Sequence, residues 1–170
     1  MLSEKVQHAI LDQINIEFSS SYSYLAMSAY CEWNEFSGCA KWLRMQAQEE
    51  NNHAMKLYDF LLARNCQVKL KTIAAPTVNF ASVPHVFAAA YEQEQAVSKS
   101  IDDLYKLAHE ENAFAAMVEL QWFITEQVEE EKTARHLVAQ FEMVQDDPSA
   151  LLDLDRELGE RQPDADEGGA

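Results

Sequence analysis

Apolar residues recur every three to four positions through most of this chain, which is the period of amphipathic helices. Proline is absent between residues 1 and 75 and between residues 85 and 147, so long uninterrupted helices are permitted. Ser37 and Ser82 are suitable N-caps, and Pro148 is suitable for a first helical turn. The pattern predicts an all-α fold with helices at residues 4–33, 38–65, 84–111, 114–144 and 149–159.

The lengths of the predicted loops indicate how these helices are connected. The first two long helices are separated by about four residues and the last two by about two, so each pair forms an antiparallel hairpin. Residues 66–83 could reach about 59 Å if extended, which exceeds the length of about 42 Å of a 28-residue helix. One such crossover predicts a four-helix bundle over residues 1–160, with a short fifth helix, followed by a flexible acidic tail at 161–170.

Each of the four long helices carries polar side chains on its apolar face, close to its midpoint. They are Glu17 on the first helix, Glu50 and His53 on the second, Glu94 on the third, and Gln127 and Glu130 on the fourth. A lone glutamate at such a position more often extends to solvent, and a lone histidine is more often an ordinary polar residue. Coincidence in four helices favours a shared metal site, because ionised carboxylates taken out of water cost several kcal/mol each unless a cation compensates them.

The charge balance narrows the classes of partner. Lys and Arg total 13 against 29 Asp and Glu, which gives a net charge of −16. This imbalance repels nucleic acid and anionic membranes and attracts cations, so neither is an expected partner. The three cysteines, Cys31, Cys39 and Cys66, lack metal-binding spacing and are predicted to be buried free thiols. With no apolar run of about 20 residues and no apolar signal region, the expected location is the cytoplasm.

The donor set indicates which metal suits the site. Carboxylate oxygens with one imidazole favour Fe(II) and Fe(III) over soft copper(I), with zinc and manganese as alternatives.

Leu151, Leu154 and Leu158 form an apolar stripe on the predicted fifth helix, and we expect a second chain to cover it in a homo-oligomer.

Four motifs resemble those of the ferritins, particularly the bacterial non-haem type: NIEF at 15–18, QEENNH at 48–53, EQEQ at 92–95, and QWF at 121–123 leading into EQVEEEK at 126–132. The resemblance covers essentially the whole chain. It implies a ferroxidase that oxidises Fe(II) with O₂ or peroxide at a di-iron site. It also implies an iron storage and detoxification protein that deposits Fe(III) mineral inside a hollow homo-oligomeric shell of 24 subunits.

The resemblance also implies roles for individual residues. Glu17, Glu50 and His53 match the first iron site, and Glu50 bridges to a second iron held by Glu94 and Glu130, with Gln127 nearby. A third iron site matches Glu49, Glu126, Glu129 and Glu130, although a solvated helix face is the alternative for the first three of these. Tyr24 matches a tyrosine near the centre that is a candidate one-electron donor, with plain core packing as the alternative. Asn52 stands where bacterioferritin has its haem-binding methionine, so haem is not expected.

The same residues disfavour two rival functions. A di-iron oxygenase or peroxide-scavenging relative is disfavoured because Thr133, rather than a histidine, lies three residues after Glu130, and because the chain has a fifth helix. A purely structural helical bundle is disfavoured because it would leave the buried acids uncompensated.

Overall fold

The computed structural model describes residues 2–162, which form five α-helices and, within that range, no β-strand. The helices are α1 Glu4–Trp33, α2 Ser37–Ala63, α3 Val83–Glu110, α4 Phe114–Val144 and α5 Pro148–Gly159. The predicted all-α fold is confirmed, and the predicted boundaries differ from these by two residues at most. The end of the predicted tail, at 163–170, lies outside the described residues. None of the described helices combines the length and apolar character needed to cross a membrane.

The N-termini of the helices are capped in two different ways. Ser82 caps α3 as predicted, because its hydroxyl accepts a hydrogen bond from the backbone N–H of His85. The prediction for Ser37 is wrong, since Ser37 is the first residue of α2 and makes no capping bond. At that end the backbone N–H of Cys39 instead donates to the side chain of Asp155 at 2.7 Å. An acid from α5 therefore provides the acceptor that a local serine was expected to supply.

The order and direction of the helices agree with the predicted single crossover. α1 packs on α2, α3 packs on α4, and α1 also packs on α3. Lys5 at the start of α1 pairs with Glu111 just after α3, and Tyr30 near the end of α1 contacts Phe80 just before α3. These contacts make α1 and α3 antiparallel. The connection between α2 and α3 runs beside α1, and Lys71 in this connection pairs with Asp12 of α1.

The core is divided into two apolar clusters by a layer of polar residues. One cluster includes Tyr24, Leu43, Phe87 and Phe141, and the other includes Ile14, Leu57, Ile101 and Phe123. Every long helix contributes to both clusters. Between its two contributions each helix carries buried polar side chains, which the fold brings to one level of the bundle: Glu17 on α1, Glu49, Glu50 and His53 on α2, Glu94 on α3, and Gln127 and Glu130 on α4.

The fifth helix packs on the start of α2. Leu154 and Leu158 are buried in the first apolar cluster, and Leu151 packs against the same cluster. The expectation that a second chain must cover this stripe is therefore wrong, because the chain covers most of it itself. Leu25, which helical periodicity places on the apolar face of α1, is 44% exposed.

Candidate metal centre

The centre of the bundle contains a cluster of metal-ligating atoms from α1 and α2. Ligand atoms of Glu17, Glu50 and His53 all lie within 4.8 Å of one another, and the three residues are buried. The Nδ1 atom of His53 is 3.6 Å from a carboxylate oxygen of Glu50, one helical turn earlier. The Oε2 atom of Glu17 and both carboxylate oxygens of Glu50 accept no hydrogen bond from the described residues. Buried acceptors without donors fit a bound cation, which would satisfy several oxygens at once.

Glu94 on α3 and Glu130 on α4 extend this cluster across the bundle. The Tyr24 hydroxyl donates to Oε1 of Glu94 at 2.5 Å, and the Gln127 amide donates to Oε2 of Glu94 at 3.3 Å. After burial, the charge of Glu94 is the next cause that raises the pKa of both Glu50 and Glu130. The structure therefore brings Glu94, Gln127 and Glu130 to the same centre as the residues of α1 and α2.

Burial dominates the electrostatics of the four acids. Loss of hydration raises the pKa of Glu17 and Glu94, and it raises that of Glu50 further, where the charge of Glu94 adds to the effect. For Glu130, burial followed by the charges of Glu94 and Glu49 raises the pKa to about 8. A divalent cation would reverse this balance, because it stabilises the ionised carboxylates that the interior disfavours.

Tyr24 remains a neutral phenol in this environment. It is completely buried, and burial together with the charges of Glu94 and Glu130 raises its pKa well above the ordinary value. Its hydroxyl proton is therefore held on oxygen and donated to Glu94.

Two glutamines of the site were not predicted from the sequence. Gln13 donates from Nε2 to Oε1 of Glu17 at 2.8 Å, and Gln46 donates from Nε2 to Oε2 of Glu130 at 2.9 Å. Both are almost fully buried. A signal was present, because each lies one helical turn before a predicted ligand, Gln13 before Glu17 and Gln46 before Glu50.

The acids predicted for a third iron site are placed unevenly. Glu49 is buried, and Arg161 donates to both of its carboxylate oxygens. Glu126 is half-buried, and Glu129 is exposed and pairs with Lys132 at 3.4 Å. None of these three belongs to the group of ligand atoms that lie within 4.8 Å of one another among the described residues. The contact with Arg161 had no sequence signal.

Comparison with known proteins gives consistent matches. Residues 7–144 match the family model for the ferritin-like domain. The chain is 33% identical over 161 residues to a bacterial non-heme ferritin of Staphylococcus aureus, covering 95% of this chain and 97% of that protein. It is 36% identical over 159 residues to a probable bacterial non-heme ferritin-like protein of Haemophilus influenzae, covering 94% and 96%. An open-pore ferritin from the hyperthermophilic archaeon Archaeoglobus fulgidus superposes with a TM-score of 0.94 at 41% identity, covering 95% of this chain and 100% of that one.

Proposed function

This chain belongs to the ferritin family, and on that premise we propose that it oxidises Fe(II) at the centre of its bundle and stores the ferric product as mineral. The observation that carries the proposal is the set of buried carboxylate oxygens on Glu17 and Glu50 that accept no hydrogen bond from the described residues. A structural bundle would gain nothing from such groups, because each is costly to bury without a partner.

The donor atoms form two sites, one for each of two ferrous ions. Glu17, Glu50 and His53 hold the first ion, and Glu50, Glu94 and Glu130 hold the second, with Gln127 beside it. Each ion gives one electron, and O₂ takes the two electrons with two protons to form hydrogen peroxide. The carboxylates stabilise the ferric product by charge, while a single imidazole keeps nitrogen ligation weak enough for the ion to leave for storage.

Tyr24 is the proposed donor of a further electron in a later step, in which the peroxide takes two electrons, one from Tyr24 and one from a third ferrous ion, with two protons to form two water molecules. The Tyr24 hydroxyl already donates a hydrogen bond to Glu94, which supplies an acceptor for the proton that leaves when the phenol is oxidised. The third iron site at Glu49, Glu126, Glu129 and Glu130 also stays a proposal.

The proposed assembly is a cage of 24 copies in the cytoplasm. Large exposed apolar side chains on the helices support burial between copies; they include Trp33, Phe114, Val118 and Met143. The three cysteines are buried free thiols, as predicted, which agrees with a reducing compartment.

The test measures Fe(II) binding and oxidation in two variants of the protein, Glu50→Ala and His53→Ala. Each change removes donors of the first ion, so we expect the rapid phase of oxidation in stopped-flow absorbance to fall by about 100-fold or more. Glu92→Ala is the matched control, because Glu92 is an exposed glutamate on α3 two residues from Glu94. Unchanged rapid kinetics in both site variants would refute the proposal.

Aerobic iron loading followed by size-exclusion chromatography separates storage from the oxygenase alternative. A large particle that retains on the order of hundreds of irons supports storage by analogy with the family. A small oligomer that stops at two irons per chain would favour an oxygenase.

A further inference from the structure

The chain places an arginine against the acids proposed for the third iron site. Arg161 follows the last residue of α5 by two positions, and its guanidinium lies beside Glu49 of α2. We propose that Arg161 is a built-in counter-ion that occupies the Glu49 carboxylate, so that a third metal ion must displace it in order to bind. This inference rests on the proposed function, because it concerns the site next to the di-iron centre.

Contacts with side chains of α2 hold the guanidinium in place. Its Nη2 atom donates to Glu49 Oε1 at 2.8 Å and to Oε2 at 2.9 Å. Its Nη1 atom donates to the side-chain oxygen of Gln46. The guanidinium carbon lies 4.9 Å from the centre of the Trp42 ring, which is a cation–π distance. One cation therefore engages three side chains of α2.

The pair differs from an ordinary surface ion pair in its burial. The Glu49 side chain is 8% exposed and that of Arg161 is 21% exposed. Charge-assisted hydrogen bonds to both oxygens of a carboxylate are among the stronger hydrogen bonds in proteins, and solvent screens a buried pair less than an exposed one. A metal ion that requires a Glu49 oxygen must compete with this arrangement.

The arginine also acts on Glu130, through Gln46. A glutamine amide has one oxygen and one NH₂ group, so the donor on its oxygen determines where its NH₂ group points. Because Arg161 donates to the oxygen of Gln46, the Nε2 atom faces Glu130 and donates to Oε2 at 2.9 Å. Gln46 is 1% exposed, so bulk water does not reach its amide while Arg161 is in place. Departure of Arg161 would leave the Gln46 oxygen without this donor as well as exposing Glu49.

These contacts predict that removal of the guanidinium strengthens third-ion binding. The test is anaerobic Fe(II) titration of the assembled full-length protein by isothermal calorimetry. The variants are Arg161→Met, which keeps an apolar stem over Trp42, Glu49→Gln, and the double variant. Arg156→Met is the matched control, because Arg156 lies on α5 and pairs with Asp153 at the surface.

We expect two tight equivalents per chain in every protein and a third, weaker equivalent whose Kd falls at least tenfold in Arg161→Met. The double variant should lose this gain, because Glu49 can no longer provide a carboxylate, and the Arg156→Met control should match wild type. Arg161→Lys keeps the charge but has one nitrogen in place of the two that reach Glu49 and Gln46. We therefore expect its third Kd to lie between those of wild type and Arg161→Met.

The outcomes separate this inference from the proposed function. Absence of the two tight equivalents in wild type would contradict the proposed function itself. Two tight equivalents with a third Kd that does not change in Arg161→Met, or a gain that persists in the double variant, would overturn the counter-ion role. If Arg161→Met does not assemble, the comparison of Arg161→Lys with wild type decides: a tightened third equivalent supports the role, and an unchanged or weakened one contradicts it.

Discussion

Side chains that donate hydrogen bonds hold the acids of the centre in position. One oxygen of Glu17 accepts a hydrogen bond from Gln13, and the other accepts none from the described residues. Glu94 accepts hydrogen bonds from Tyr24 and Gln127. Glu130 accepts one from Gln46. A donor on one oxygen restricts the rotation of the carboxylate and so directs the second oxygen. Residues of this kind commonly change metal affinity by 10- to 100-fold when they are removed.

Gln13 is the clearest of these positioning residues, because its side-chain amide donates to Glu17 and to no other proposed ligand among the described residues. Gln13→Leu removes the donor while keeping a side chain of similar size, so Glu17 loses its orientation. We expect weaker binding of the first Fe(II) by about 10-fold or more, measured by anaerobic calorimetry, with unchanged helical content. Gln48→Leu is the control, since Gln48 makes a comparable bond to Asn52 at the surface of α2. Equal Fe(II) affinities in the two variants would mean that Gln13 only packs.

Charge made most of the site residues easier to predict, although the neutral Gln127 was also identified. Glu17, Glu50 and Glu94 interrupt apolar stripes, and a buried carboxylate is costly enough to stand out in a sequence. Gln13 and Gln46 lie on the same faces but carry no charge, so their burial needs only a hydrogen-bond partner and draws less notice. Arg161 could not be predicted, because its contact with Glu49 spans 112 residues and depends on how α5 packs.

At the scale of elements, α5 is joined to the start of α2 by close backbone packing. A Cβ atom on Gly38 would lie 1.8 Å from the backbone oxygen of Asp155, so only glycine fits there. Asp155 also accepts from the backbone N–H of Cys39, which places a negative charge at the positive end of α2. The same helix end thus binds a side chain and a backbone segment of α5, and the approach of α5 in turn brings Arg161 to Glu49.

Gly38→Ala tests this junction. The added methyl cannot coexist with the carbonyl of Asp155, and neither backbone can yield without moving α5. We expect faster amide hydrogen exchange throughout α5 and a loss of stability of about 1–3 kcal/mol, the usual cost of overpacking. The neighbouring Ser37→Ala, at an exposed position, should change neither measurement. Unaltered exchange in α5 of the Gly38 variant would show that the junction tolerates a side chain.

The element boundaries were predicted well where their causes are local. Ser82 and Pro148 act within one turn of their own helices, and both were identified. The cap of α2, and not its position, was predicted wrongly, because the acceptor comes from Asp155, 116 residues away in sequence. The coverage of the α5 leucines was misread for the same reason, since a pattern of period 3.6 identifies an apolar face but not the surface that will cover it.

At the scale of the whole molecule, the acids of the centre oppose folding when no metal is bound. The chain carries a net charge of −16, and its most buried acids face one another across the bundle. Glu130 illustrates the crowding, because after burial itself the acids that raise its pKa come from three helices: Glu94 of α3, Glu49 of α2 and Glu126 of α4. Protonation relieves this repulsion, and so does a cation. Metal binding and folding stability are therefore linked in this protein.

This linkage predicts how the metal-free protein responds to pH. The folded state holds the protons of Glu17, Glu50, Glu94 and Glu130 more tightly than the unfolded chain does, with a pKa of about 8 for Glu130 against an ordinary 4.5. The unfolded chain releases these protons first, so each contribution lowers the free energy of unfolding as the pH rises above about 4.5, and for Glu130 it does so up to about 8.

Urea unfolding in a chelator at pH 5, 6.5 and 8 and at one protein concentration measures this effect. We expect the midpoint to decrease with pH in wild type and to decrease less in Glu130→Gln, because the amide keeps an oxygen for Gln46 and has no proton to lose at these pH values. Glu142→Gln, on an exposed face of α4, should follow wild type. Zn²⁺ added in place of the chelator at pH 8 should restore the midpoint in wild type, since the cation compensates the ionised acids. A wild-type midpoint that does not decrease with pH would contradict the argument that these carboxylates oppose folding without metal.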